Sequence, residues 1–451
     1  MQSYSVCMIL KKDCRIVARA RQELHAETTR VSYRKLPSDF SRQPTLTLPR
    51  VAILILRGHK VSQQNSLNKF FRELNQSETL LTGSAYCQAR QKIKPELFVH
   101  LNASVVEEFS DLSRADGTWR SWHGHRLLGA DGTKLNLPDS AASRAAYSLV
   151  SNQHGTRGQV VQGLAVVLYD LLNDLGLAAT LGALAHEPDV LIEQLGAQLQ
   201  AGDLLVLDRN FADYLLIAWA VEHQIELLIR CPRQSFGVVN DFWKSADTER
   251  VVTLPCSQRK TTRADVRALG LPAQVRVRLL KFTLETGEQE VLLTTLCDTE
   301  RYPRAEFYQV YGWRWRQETY YDRVKNIFEV ERFSGLSPLA IEQDFYGVIF
   351  LATLESTLSQ SAQSALRERA QARPAKAQPQ INRAVSYVSL LDQTVALLAD
   401  PERPLEDVVA QLHRLFQTNP KYNAPGRKFE RPARSPSRSL RDQRYRKRLT
   451  S

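Results

Sequence analysis

Between Tyr311 and Lys325 the chain reads Tyr-Gly-Trp-Arg-Trp-Arg-Gln-Glu-Thr-Tyr-Tyr-Asp-Arg-Val-Lys. Wound as a helix at about 100° per residue, this order puts Tyr311, Arg314, Glu318 and Lys325 within an arc of roughly 60°. Trp313, Tyr320, Val324 and Ile327 gather on the opposite side. One face is therefore expected to pack on a core, while the other presents a carboxylate flanked by a phenol and two cations. Pro303 suits the first turn, where its missing N–H would be unpaired anyway. Taken alone, Arg314 and Glu318 are an ordinary i,i+4 ion pair worth about 0.3 kcal/mol. Two aspartates elsewhere change that weighing. Arg126-Leu-Leu-Gly-Ala-Asp131-Gly-Thr reads as a strand delivering Asp131 to a tip, where Gly132 lets the backbone turn or approach a phosphate. Asp203-Leu-Leu-Val-Leu-Asp208 is a short apolar run ending in a carboxylate, which fits a buried central strand.

Asp131, Asp208 and Glu318 are separated by 77 and 110 residues, so only a fold can bring them together. Three clustered acids would repel and raise one another's pKa values. A pair of divalent cations resolves that conflict, and oxygen ligands favour Mg²⁺ or Mn²⁺. Two such ions about 3.5–4 Å apart can activate a water or a DNA 3′-hydroxyl for in-line displacement at phosphorus. On this reading Asp131 bridges the ions, and Asp208 and Glu318 each hold one. Tyr311, Arg314 and Lys325 are then placed to bind phosphates beside the scissile bond. Arg209 and Arg230 either touch backbone phosphates or pair with core acids. Asp139, Asp170, Asp213 and Glu187 are further acids near this core. His123-Gly-His125 has no third ligand nearby and reads as surface.

The elements that must carry these residues follow in order. Residues 1–44 are expected to form a poorly ordered arm, with a helix near 15–28. Residues 45–112 read as a small helical domain, with Ser62 or Ser66 capping one helix and Ser84 the next. Arg90 and Lys92 sit on its short polar surface, which fits either a DNA-reading helix-turn-helix or a plain bundle. Residues 116–232 and 301–335 supply strands, helix, strand, helix, strand, and the Glu318 helix, a mixed α/β pattern. A helix is expected from His186 with Leu191, Ile192, Leu195 and Leu199 on one stripe. Between them, 233–300 reads as a β-rich insertion built on the hairpin Val275–Leu296. A helical region over 336–420 and a basic tail at 421–451 complete the chain.

The spacing Tyr311-x2-Arg314-x3-Glu318-x6-Lys325, with Asp131 and Asp208, resembles the signature of bacterial DDE transposases of the insertion sequence 4 family. Gly83-Ser-Ala-Tyr-Cys-Gln-Ala-Arg-Gln-Lys-Ile is similar to that family's N-terminal domain, which binds transposon ends. The resemblance implies a ribonuclease-H-like, retroviral-integrase-type catalytic core interrupted by the β-rich insertion, with helical regions on either side. It also implies an enzyme that binds the ends of its element and performs metal-dependent cleavage and strand transfer. The implied partners are double-stranded DNA, both transposon ends and target, and a second copy of the chain in the DNA complex. Family members hold a flipped base with an aromatic of the inserted sheet; here Phe282 and Trp243 are the candidates, and neither settles whether a DNA hairpin forms. Leu168-Tyr-Asp170 resembles a family motif of structural role. Two alternatives stand beside this reading: a nuclease of the same fold that cleaves without joining, and a DNA-binding protein that has lost catalysis.

Composition is compatible. The 451 residues are 43% hydrophobic and 24% charged, and no apolar run reaches the length of a membrane span. A cytoplasmic, DNA-associated bacterial protein with no membrane partner is expected. The six cysteines have unrelated spacings and no C-x-x-C pair, which argues for reduced thiols rather than a zinc site. The formal charge is +12, and residues 421–451 hold eleven Lys/Arg against two acids, a net +9. Such a tail attracts polyanions, nucleic acid foremost, with membrane lipid or RNA left open by charge alone.

Overall fold

The computed structural model describes residues 2–41, 45–58, 62–76, 78, 81–151, 159–257, 260–284, 286–371 and 378–422. Apart from Lys421 and Tyr422, the basic tail lies outside the described residues. The chain forms two compact units, one of residues 1–117, 137–145 and 322–451, the other of 118–136 and 146–321.

Among the described residues, the second unit is built on one sheet of nine strands: β1 (Leu127–Asn136), β2 (Ser148–Ser151), β3 (Gln159–Asp170), β4 (Leu175–Gly182), β5 (Leu204–Leu207), β6 (Glu226–Arg230), β7 (Glu249–Pro255), β8 (Gln274–Thr283) and β9 (Gln289–Thr294). Their order is β2-β3-β1-β5-β6-β9-β8-β7, with β4 also pairing β3. β1, β5 and β6 run parallel, and β3 is antiparallel to β1. The apolar run of β5 is completely buried, as a strand with both faces covered requires. The crossover from β5 to β6 is the helix Tyr214–Glu222, whose first N–H groups are capped by the Asp213 carboxylate at 2.8 and 3.2 Å.

The insertion does not stand apart from this sheet. Its hairpin β8–β9 pairs with β6 in the register Leu228↔Thr294, so the core sheet continues straight through it. The amphipathic helix expected after His186 is also shorter than its stripe suggests. One α turn, Glu187–Val190, passes into a π turn, Leu191–Leu195, and a 3₁₀ turn, Gly196–Gln198. Gly196 marks the change, because a Cβ there would meet the Trp219 ring at 2.9 Å.

The first unit is helical. The long helix Pro338–Gln371 packs against Glu96–Ala115 and Leu48–Arg57, and is joined by Arg383–Leu398 and Glu406–Phe416. The N-terminal arm expected to be poorly ordered is instead the helix Gln2–His25, followed by Glu27–Tyr33. Ile16 and Val17 are fully buried, and the buried Asp13 carboxylate accepts from Ser361 at 2.9 Å and pairs with His413 at 2.6 Å. These partners are 348 and 400 residues away, which hides the anchoring from any local reading. The helix Gly83–Arg90 is capped by Thr82, which accepts from the Ala85 N–H, rather than by Ser84, which stands two residues later and already inside the first turn. Among the described residues, no helix is long and apolar enough to cross a membrane.

Candidate active site

The parallel register of β1 and β5 explains a number already present in the sequence. Leu127, Leu128 and Gly129 stand opposite Leu204, Leu205 and Val206, a constant offset of 77. Carried two residues further, the same offset sets Asp131 beside Asp208, just past the last residue of β5. Adjacent strands lie about 4.8 Å apart, so equivalent positions on them share a face. Burial and the neighbouring Asp208 and Glu187 charges push the Asp131 carboxyl up to about 7, against the pull of the Gly132 N–H and of Arg314. The Gly132 N–H donates to Asp131 Oδ1 at 2.9 Å. Asp208 accepts from the Asn210 N–H at 2.8 Å, which orders the short turn after β5.

Glu318 arrives on the helix Trp315–Asp322, and the fit of that helix to the sheet depends on three residues. Gly129 leaves room for Gln317, since a Cβ there would lie 2.2 Å from Gln317 Oε1. Gln317 Nε2 donates to the Val167 carbonyl at 2.8 Å. The Tyr321 hydroxyl accepts from the Val167 N–H at 3.1 Å and donates to the Asp131 carbonyl, clamping the helix on the pair Asp131↔Val167. Glu318 itself accepts from Arg314 Nη2 at 2.9 Å. Arg314 is 9% exposed, lies 5.7 Å from the Tyr311 ring and 5.2 Å from the Trp315 ring, and also feels the Asp208 charge. Its guanidinium therefore bridges the electrostatics of Glu318 and Asp208.

Tyr311 is buried beside Arg314 and Arg230, and burial raises its phenol. The helix does not run evenly through this motif. It ends at Gly312, restarts at Trp315, and becomes a π turn over Arg323–Ile327. Lys325 belongs to the helical unit, whereas Tyr311, Arg314 and Glu318 belong to the sheet unit.

The other expected DNA contacts separate. Arg209 is exposed directly after Asp208. Arg230 pairs with Glu290 at 2.9 Å, the core-acid alternative. Lys92 is exposed, with Asp39 at 4.0 Å. Arg90 must be withdrawn as a DNA contact. It is 5% exposed, and its guanidinium is spent on Gln343 at 2.7 Å, Ser334 at 2.5 Å, the Ala340 carbonyl at 2.9 Å and Asp344 at 2.7 Å. Phe282 is buried under the Arg304 guanidinium at 4.6 Å, and Trp243 packs partly buried against the sheet core. His125 bonds the Gly202 carbonyl and the Tyr302 hydroxyl, a structural role. Asp170 is fully buried and accepts from the Leu172 and Asn173 N–H groups and from Asn173 Nδ2, closing the turn between β3 and β4.

Sequence reading passed over Tyr321, Gln317 and Gly129 as site builders, and gave Glu187 no role. Only Gly129 carried a signal, because glycine inside a strand marks close approach of another group. Among the described residues no three His, Cys, Asp or Glu side chains stand close enough to hold a metal ion as placed. The donors themselves suit one: the Asp131 and Asp208 carboxylates are neighbours, and Glu187 Oε2 is buried without a hydrogen-bond partner next to them. Hard carboxylate oxygens are what Mg²⁺ and Mn²⁺ select.

Residues 122–354 match the family described as Transposase DDE domain, and the chain belongs to that family. It is also similar to the Transposase InsG for insertion sequence element IS4 of Escherichia coli (strain K12), with 26% identity over 276 residues. That match covers 60% of this chain and 60% of the relative, and it agrees with the insertion sequence 4 resemblance of the motif. A solved piggyBac transposase synaptic complex with hairpin DNA aligns over 98% of this chain and 83% of its own, at 10% identity and a TM-score of 0.40.

Proposed function

We propose that the protein is a DNA transposase that binds the ends of its insertion sequence, cleaves strands there and joins them to target DNA. The observation that carries this reading is the parallel register that sets Asp131, inside β1, beside Asp208, just past β5, with Glu318 on the helix seated at Gly129. The strand order β4-β3-β1-β5-β6, antiparallel on one side of β1 and parallel on the other, supports a ribonuclease-H-like core.

Asp131, Asp208 and Glu318 are the residues that would hold one or two divalent ions, Mg²⁺ or Mn²⁺. Such ions, when bound, neutralise charge at phosphorus and sharpen the attacking hydroxyl. The chain's own groups do the positioning. Arg314 holds Glu318 and offsets the charge of Asp208. Tyr321 ties the Asp131 backbone to the helix that carries Glu318. Arg209, Lys92, Tyr311, Arg314 and Lys325 are the proposed contacts to DNA phosphates, and the basic tail adds attraction that carries no sequence preference. Joining two ends calls for a second protomer in the DNA complex.

The test is incubation of the protein with its element's ends and Mn²⁺, resolving nicked, hairpin and joined products. Asp208→Ala should abolish all products while leaving end binding in place. Cutting retained by Asp208→Ala would remove this residue from the site, and wild-type cutting without joining would favour the nuclease alternative.

A further inference from the structure

Three helices of the helical unit meet at one carboxylate. Asp13, on the helix Gln2–His25, is fully shielded from solvent. Its Oδ1 accepts from Ser361 Oγ of the helix Pro338–Gln371 at 2.9 Å, and its Oδ2 lies 2.6 Å from His413 Nε2 of the helix Glu406–Phe416. All three helices belong to the same compact unit and pack on one another. An ionised carboxylate only accepts, and so does a bare imidazole nitrogen, so a proton must sit on the line between Oδ2 and Nε2. A second proton, on Nδ1, decides the charge. With both protons the pair is neutral overall; with the bridging proton alone it is a buried anion. The second proton leaves to solvent, which His413 reaches with 14% of its side-chain surface. Histidine is the side chain whose ordinary charge change falls between pH 5 and 8.

The other charged groups around the pair have tasks of their own. Lys12 acts on Asp13 through space, but its ammonium is bound to Ser113 at 2.9 Å and Asp116 at 2.9 Å on the helix Glu96–Ala115. Cys14 follows Asp13 and feels both that carboxylate and Glu406 of the last helix, so Glu406 adds negative rather than positive charge there. On Pro338–Gln371 the buried Glu355 is closed by Arg383 at 2.7 Å and by the hydroxyls of Ser359 and Ser386. The counter-charge for Asp13 therefore falls to His413. Burial pushes the Asp13 carboxyl above its ordinary range, against the pull of His413, Ser361 and Lys12. A buried charge that loses its partner is strongly destabilising, because nothing replaces the water it gave up.

We propose that Asp13 and His413 form a proton-operated latch, which docks the helix Glu406–Phe416 on the helix Gln2–His25 while the pair is neutral and loosens it when the second proton leaves. The sign follows from linkage. A pair that holds a proton more tightly docked than undocked is favoured at low pH, and that advantage is lost as pH rises through the docked pair's own titration. The helix it governs is the last one before the basic residues 421–451, so the latch makes the mounting of that tail sensitive to pH. It needs neither metal nor DNA.

The test is amide hydrogen exchange of the full-length protein between pH 6 and pH 9, read by mass spectrometry. Peptides covering Glu406–Phe416 are compared with the buried helix Leu48–Arg57 of the same unit, which cancels the base catalysis common to all amides. Local opening of one helix is visible this way without global unfolding. In the wild type the relative exchange of Glu406–Phe416 should rise by up to about tenfold per pH unit where the latch titrates, the factor for one linked proton. Asp13→Asn removes the buried charge and should leave the helix protected at every pH. His413→Gln keeps an N–H donor but no charge, and should leave it fast at every pH. His100→Gln, which alters the other imidazole–carboxylate pair of this unit, His100–Glu23 at 2.7 Å, should keep the wild-type profile. A flat wild-type profile would overturn the latch, and needs no variant to fold. Asp13→Asn retaining the wild-type slope would overturn it equally, by placing the titrating group elsewhere.

Discussion

Replacing Arg90 by methionine decides whether the basic run Arg90–Lys92 reads DNA or holds the helical unit together. Arg90 is buried and joined to the helix Pro338–Gln371 through Gln343, Ala340 and Asp344. Removing one member of a buried ion pair costs about 3–5 kcal/mol, because the other charge is left without its partner. Asp344 would still accept from the Ser334 N–H at 2.6 Å and the Ser334 hydroxyl at 2.8 Å, so the lower end applies. With a urea dependence of about 2 kcal/mol per molar, a loss of about 3 kcal/mol moves the midpoint down by roughly 1.5 M. The assay is urea unfolding of the helical unit followed by far-ultraviolet circular dichroism. Arg90→Met together with Asp344→Leu should recover most of the loss, since two apolar residues leave no uncompensated charge. Unchanged stability in Arg90→Met, combined with weaker DNA binding, would refute this account and return Arg90 to the DNA surface.

Other outcomes follow from the same structure. An acid held near 7 instead of its ordinary 3.8 is favoured in the folded state only while protonated, so stability is present at low pH and lost as pH rises through 7. In chelator, Asp131→Asn should therefore stabilise the sheet unit at pH 8, by up to roughly 4 kcal/mol, and hardly at all near pH 4; parallel pH profiles for both proteins would contradict the burial of Asp131 among acids. Tyr321→Phe loses the hydroxyl between the Val167 N–H and the Asp131 carbonyl. It should cost about 1–2 kcal/mol in thermal unfolding and lower cleavage more than end binding; equal losses in cleavage and binding would mean that Tyr321 does not position Glu318. Deleting residues 423–451 should flatten the salt dependence of DNA binding, because each lost phosphate contact removes about 0.9 from the slope of log K against log salt. An unchanged slope would show that the tail is not on DNA.

How much was legible depended on how local the cause was. The Glu318 helix could be read because helical periodicity is a property of adjacent residues, though not its breaks at Gly312 and Arg323. The apolar run ending in Asp208 announced a strand end, whereas Asp131, expected at a tip, lies inside β1 opposite Val167, because β3 pairs with the chain beyond it. The hairpin β8–β9 was visible from alternation, but its pairing with β6 was not, since a strand carries no label for its neighbour. Arg90 was misassigned because Gln88 and Gln91 beside it are exposed, while the group that buries it, Asp344, is 254 residues away. Glu187 was passed over because an acid in the first turn of a helix already has an ordinary explanation in the helix dipole.

The amino-acid order by itself determined the family signature, the three acids and the alternation of strands and helices, all of which arise from residue type and short-range spacing. It even contained the 77-residue interval, without showing that the interval is a strand register. The tertiary structure alone decided which side chains meet: Tyr321 on Asp131, Gln317 against Gly129, Glu187 in the notch of Gly132, and Arg90 away from solvent. The physical reason is that periodicity acts over a few residues, whereas burial and charge proximity are set by segments that become neighbours only when the sheet closes around its own connections.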